Sequence, residues 1–247
     1  MMKELYDEFV EIYKNKPIED NSGGMKSQQM FGLYNFLKKM KPDLIVESGV
    51  WYGQGTWFFS QVCPDANILS FDINFGNLKH RDDKAQYFNQ DITTIDWKEF
   101  FLKNPQFNSD NSLFFLDDHV DFSTRLNFLY NETPFKHVVY EDNYPPNQGD
   151  CISPKKIRES TKCIIDKAGT RSEFEIPTSV KESFDDKVKT YEELTPICIH
   201  PQTRWGDDWD RDIYKTVEPA FTNYDDVDDW VKEEKDYTWI CHMELSE

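Results

Sequence analysis

The sequence predicts one α/β domain built on a mostly parallel sheet, on three observations. Short apolar runs alternate with helix-compatible stretches through the first 150 residues, and several of those runs end in an acid or a glycine turn. The 247 residues suffice for one well-filled domain, and no linker-like stretch divides them, so residues 1–247 are expected to form a single unit.

Leu5, Phe9, Ile12 and Tyr13 recur at helical spacing. Met30, Leu33, Tyr34, Phe36 and Leu37 do so again until Lys41-Pro42 stops the second helix. Residues 1–41 are thus a helical cap. Strands are expected at 44–47, 67–72, 85–88, 112–117 and 137–141, with helices at 56–62, 97–103 and 123–130 between them. Right-handed crossovers then bring the loops after the strands to one edge, where open α/β sheets bind ligands. From 143 the chain turns polar, beginning Tyr144-Pro145-Pro146-Asn147-Gln148-Gly149-Asp150, and 143–180 is expected as a mobile loop or lid. Residues 180–194 look helical. The run 237–245 looks like a buried last strand, antiparallel to one near 196–200.

Charge narrows the partners. Lys plus Arg number 28 against 46 Asp plus Glu, a net charge of -18 whose field repels nucleic acid and anionic lipid. Neither is an expected partner, although Lys155-Lys156-Ile157-Arg158 is locally basic. Cys63, Cys151, Cys163, Cys198 and Cys241 are odd in number and widely spaced, which suits reduced thiols in a cytoplasmic protein. The acidic start lacks the apolar run of a signal peptide or membrane span.

The first strand leads into Glu47-Ser48-Gly49-Val50-Trp51-Tyr52-Gly53-Gln54-Gly55. A pyrophosphate favours G-x-G-x-x-G at a bare helix N-terminus, and a carboxylate beside it would repel. Here the glycines read G-x-x-x-G-x-G behind Glu47, which suits S-adenosylmethionine, a sulfonium with an ammonium and no phosphate. Glu47 would accept a hydrogen bond from the donor's amino group, directly or through water. Gly49 and Gly53 would admit its methionine part. Asp72 ends the second strand about twenty residues on, the distance at which such folds place an acid on ribose hydroxyls. Asp91, after the third strand, would face adenine. Any one of these residues could equally be a plain turn glycine or a solvated acid.

Two later strand ends concentrate acid: Asp117-Asp118-His119 and Glu141-Asp142-Asn143. If those strands are neighbours, Asp117, Glu141 and Asp142 supply three hard oxygen ligands for octahedral Mg2+, or Mn2+. Such an ion would acidify an attacking hydroxyl, and His119 would serve as general base. Asp118 is the alternative ligand, or orients His119, or faces solvent. Acidic loops serving solubility alone are the bland alternative.

The runs VESGVWYGQGT, FDIN, FFLDDH and VVYEDNYPP resemble class I S-adenosylmethionine-dependent methyltransferases, in particular the Mg2+-dependent sugar and small-molecule O-methyltransferases and their cephalosporin-hydroxylase-like relatives. The resemblance spans residues 21–150. It implies a Rossmann-like fold with a mostly parallel seven-stranded sheet and helices on both faces. It also implies metal ligands at Asp117, Glu141 and Asp142, a base at His119, and a place near the donor for Asn21-Ser22-Gly23-Gly24-Met25. The expected activity is methyl transfer to a hydroxyl of a sugar, in a glycan or a glycosylated metabolite. A metal-dependent hydroxylase, whose iron would more often want two histidines, and a non-catalytic binding protein on the same scaffold are the alternatives. Trp205, Trp209 and Tyr214 beside Asp207 and Asp208 suit either sugar stacking or anchorage of an irregular loop, with anchorage the simpler role. Residues 225–229 and 233–236 read as solvated charge around Trp230.

Overall fold

A computed structural model of the chain describes residues 2–167, 169–203, 206–223, 226–228, 231 and 239–246. Strands β1 (Leu44–Ser48), β2 (Asn67–Phe71), β3 (Ala85–Phe88), β4 (Ser112–Leu116) and β5 (His137–Tyr140) pair in parallel. Strands β6 (Lys162–Lys167) and β7 (Thr170–Glu175) form a separate antiparallel hairpin. Strands β8 (Val188–Glu193) and β9 (Cys241–Leu245) complete the main sheet in the order β3-β2-β1-β4-β5-β9-β8, with β9 antiparallel to both neighbours.

The strand pattern explains the layers. Every residue of β1 and of β4 is buried, so both read as continuous apolar runs with helices on each face. Ile45, Ile68, Leu113, Phe115 and Val139 face helices α1 (Met2–Tyr13), α2 (Ser27–Met40) and α3 (Gln54–Val62). Val46, Phe71, Phe114, Leu116 and Val138 face α4 (Trp97–Lys103), α5 (Phe122–Glu132), α6 (Pro154–Glu159) and α7 (Thr178–Lys187). The result is a doubly wound, Rossmann-like α/β fold. The chain winds outward from β1 to β3 in one direction and from β4 onward in the other, so the crevice at the C-terminal ends of β1 and β4 is the topological switch point.

Three expectations change. Residues 180–194 are not one helix: α7 ends at Lys187 and β8 follows directly. As an edge strand with three of its six residues exposed, β8 carries the charged pattern Val-Lys-Thr-Tyr-Glu-Glu, which imitates a solvated helix. Strand β9 pairs with β5 and β8, whereas Pro196 and Ile197 accept hydrogen bonds from the amides of Ala220 and Phe221. The segment 143–180, expected as a loop or lid, holds α6 and the β6–β7 hairpin. It buries Lys155 and Lys156, the lysines of the local basic run. All five cysteines are free and buried. No helix among the described residues is long and apolar enough to cross a membrane.

Candidate active site

The turn after β1 must pass very close to the end of β4. A Cβ on Gly49 (φ +91°) would lie 1.8 Å from the Asp117 carbonyl oxygen, so no side chain fits there. Asp72 steadies this turn by accepting from the amides of Val50 at 2.9 Å and Trp51 at 3.3 Å. Trp51 itself adopts φ 50°, and its indole Nε1 donates to the Ser22 carbonyl at 2.9 Å. The 21–25 segment is thereby drawn to the site.

These elements surround a cavity of about 480 Å³. Gly49, Asp72, Asp91, Asp117, His119, Glu141 and Asp142 all line it. Glu47 and Gly53 are not among its lining residues. Glu47 is buried and accepts from the Thr56 and Ser70 hydroxyls, so it braces the turn from behind. Burial raises its pKa to about 7, helped by the Asp72 charge and opposed by those two hydroxyls. Gly53 (φ +95°) packs against the His80 carbonyl at the start of α3.

Asp91 lines the cavity but is already occupied. Its two oxygens lie 3.3 and 3.2 Å from the terminal nitrogens of Arg125, and Oδ1 also accepts from the Thr93 amide and hydroxyl. Burial raises its pKa, and the Arg125 and Thr93 hydrogen bonds outweigh that effect to leave it below the usual carboxylate range. Arg125 and Thr93 thus share this carboxylate, whose side chain stays 37 % exposed. Ile73, 75 % exposed, also lines the cavity and offers it an apolar surface.

The β4 and β5 ends do converge. Asp117, His119 and Asp142 each offer a ligand atom, and these atoms lie within 4.8 Å of one another. Asp117 is raised well above the usual range by burial and then by the Asp142, Glu47 and Asp118 charges. A divalent cation would relieve that repulsion, and the Asp117 and Asp142 carboxylates are the hard oxygen donors that suit Mn2+ or Mg2+. Glu141, expected as the third ligand, is outside this group. The Gln29 side chain at the start of α2 donates to Glu141, and Gln29 Oε1 is itself fixed by the Lys26 amide at 3.1 Å. Asp118 points elsewhere, to the Ser48 hydroxyl at 2.6 Å and Arg125 Nε at 2.9 Å, which favours Asp117 as the metal-facing acid.

His119 sits at φ 55° beyond β4, with Nδ1 3.2 Å from an oxygen of Asp142 and 3.2 Å from one of Asp150. The Asp150 hydrogen bond raises its pKa to about 9 against the effect of burial, aided by the Asp142, Asp150 and Glu141 charges.

Sequence reasoning missed Arg125, Gln29, Trp51 and Asp150 as site residues. Gln29 lies on a helix remote in sequence, and Arg125, only seven residues after Asp118, matches no spacing rule. Asp150 was visible only as part of a loop. Trp209 and Tyr214 do not line the cavity and serve the simpler role read from the sequence, loop anchorage: Trp209 stacks on Trp239 at 5.3 Å, and the Tyr214 hydroxyl bonds Gln148 and Asp207. Trp205, Trp230 and most of the charged run around Trp230 fall outside the described residues.

No family model and no curated protein matches the chain. Among solved structures it is similar to CmcI with Mg and SAM, at 14 % identity over 51 % of this chain and 58 % of that one, with a TM-score of 0.38. It is similar to the SAH-bound methyltransferase PaMTH1 of Podospora anserina, at 13 % identity over 55 % and 62 %, with a TM-score of 0.38. The O-methyltransferase TomG of Streptomyces achromogenes, in complex with SAM, gives 9 % identity over 99 % and 90 %, with a TM-score of 0.45. The chain spans less than two thirds of the CmcI and PaMTH1 chains. At these identities and scores the fold stands on the chain's own strand order.

Proposed function

We propose that the chain is an S-adenosylmethionine-dependent O-methyltransferase acting on a sugar hydroxyl, with Mg2+ or Mn2+ held by Asp117 and Asp142 and His119 as the proton acceptor. One observation carries this reading: a single cavity at the switch point joins the glycine turn and Asp72 to the convergent Asp117, His119 and Asp142. The donor supplies an electrophilic methyl group, and a bound cation supplies acidification and alignment of the attacking hydroxyl.

The chain's own residues do the rest. Gly49 keeps the turn thin, and Asp72 lies where an acid meets ribose hydroxyls. The exposed Ile73 offers a flat apolar contact for a purine. With Nδ1 of His119 turned toward Asp142 and Asp150, Nε2 is the nitrogen left to receive the hydroxyl proton, which it can do only on the neutral ring: above the pKa of about 9, or at the lower pKa that a cation neutralising the Asp142 charge would give. One imidazole beside two carboxylates falls short of the two-histidine set of non-haem iron oxygenases, which favours methyl transfer over hydroxylation.

The test is transfer of label from methyl-labelled donor to a panel of free sugars and glycosides. Transfer that stops with EDTA and in Asp142→Ala supports the assignment. Transfer that persists in both removes the cation, and donor binding without transfer to any hydroxyl compound removes the sugar acceptor.

A further inference from the structure

We infer that Asp150 is the positioning carboxylate for His119 and that Lys156 is the buried cation that fixes it there. This deepens the proposed methyl transfer and rests on it for its purpose, but its geometry is independent of the acceptor.

His119 Nδ1 is 3.2 Å from Oδ2 of both Asp142 and Asp150. Asp142 is also one of the atoms converging with Asp117, and a carboxylate oxygen engaged by a cation loses acceptor strength toward an imidazole N–H. Asp150 is then the carboxylate that stays with His119. Unlike Asp117 and Asp142 it does not follow a strand of the main sheet, so something else must hold it.

The turn around it is built for that purpose. Gly149 has φ +81°, and a Cβ there would lie 2.0 Å from Cγ of Tyr144, so the backbone lies flat on the ring. The fully buried Lys156 ammonium donates to the carbonyls of Gly149 at 3.3 Å and Cys151 at 2.7 Å, the two residues flanking Asp150. It also donates to the Ile164 carbonyl on β6 at 2.9 Å. Three ammonium protons thus meet three carbonyls, and the Asp166 amide adds a hydrogen bond to Gly149 at 3.0 Å. Burying an ammonium is costly, and here its hydrogen bonds tie the Asp150 turn to the hairpin.

The consequence is a fixed ring orientation. With Nδ1–H donated to Asp150, Nε2 of the neutral ring takes the acceptor's hydroxyl proton as the oxygen–carbon bond forms and the sulfur–carbon bond breaks, its electron pair returning to sulfur. Asp150 stabilises the imidazolium that results, the role a carboxylate plays behind a catalytic histidine.

The experiment is proton NMR of the full chain in MgCl2, with histidine ring nitrogens labelled and His119→Asn used for assignment. The wild type should show a downfield, slowly exchanging Nδ1–H of His119. Asp150→Ala and Lys156→Met should lose it, and Lys156→Arg should keep it. An unchanged signal in Asp150→Ala, a partly exposed position, overturns the inference even if Lys156→Met does not fold. Absence of the signal from the wild type does so too. Failure of S-adenosylhomocysteine to bind would instead remove the methyltransferase reading and leave this ring orientation standing.

Discussion

Arg125 Nε donates to Asp118 Oδ2 at 2.9 Å, while the same guanidinium reaches both oxygens of Asp91. One arginine, 4 % exposed, thus ties the ends of β3 and β4 together through two acids. Arg125→Met would leave two carboxylates without their cation. The expected loss of stability is about 3–5 kcal/mol, read from urea unfolding. A loss below about 1 kcal/mol would mean that the pair is solvated enough not to matter.

The same pairing divides Asp117 from Asp118. Asp118→Asn should leave Mn2+ affinity within about threefold of wild type, whereas Asp117→Asn and Asp142→Asn should lower it by about tenfold or more, measured by calorimetry. The reverse order would place the cation on Asp118.

Two histidines should titrate on opposite sides of 6.5. His119 is raised to about 9, with the Asp150 hydrogen bond as the first cause, and its contribution to stability is complete below 6.5 and lost as pH rises through 9. Its NMR midpoint should fall in Asp150→Ala. His242, stacked on His137, is lowered to about 4 by burial and then by the His137 charge. The unfolded chain binds that proton first, so stability should drop as pH falls from 6.5 to 4, by roughly 3 kcal/mol at most. In His242→Gln that slope should flatten, and an unchanged slope assigns it to other groups.

Glu47 gives a third pH signature. Its folded pKa of about 7 exceeds the ordinary 4.5, so the native state binds the extra proton and stability declines as pH rises between those values. Glu47→Gln should remove this decline, on the order of 2–3 kcal/mol, and be more stable than wild type at pH 8. Because Glu47 does not line the cavity, S-adenosylhomocysteine affinity should change less than in Asp72→Ala. A larger loss in Glu47→Gln restores direct contact with the donor.

Most of the site-bearing edge was legible because buried parallel strands are short apolar runs with abrupt polar ends. Phe114-Phe115-Leu116 stopping at Asp117, and Val138-Val139-Tyr140 stopping at Glu141, mark the sheet edge unaided. Strand β8 was hidden because an edge strand buries too little to show its period. The Gln29 bond to Glu141 was hidden because the two lie 112 residues apart, with Gln29 on a helix whose packing no local pattern reveals. Asp150 was obscured for a related reason: Lys156, which fixes it, looks in sequence like one member of a solvated basic run.

The central claim is that the switch-point cavity binds the methyl donor beside a cation. Calorimetric titration with S-adenosylhomocysteine, with and without Mn2+, tests it most directly. One binding site for the nucleoside and one for Mn2+, the latter lost in Asp142→Ala, is the predicted result. A protein that binds neither would contradict it.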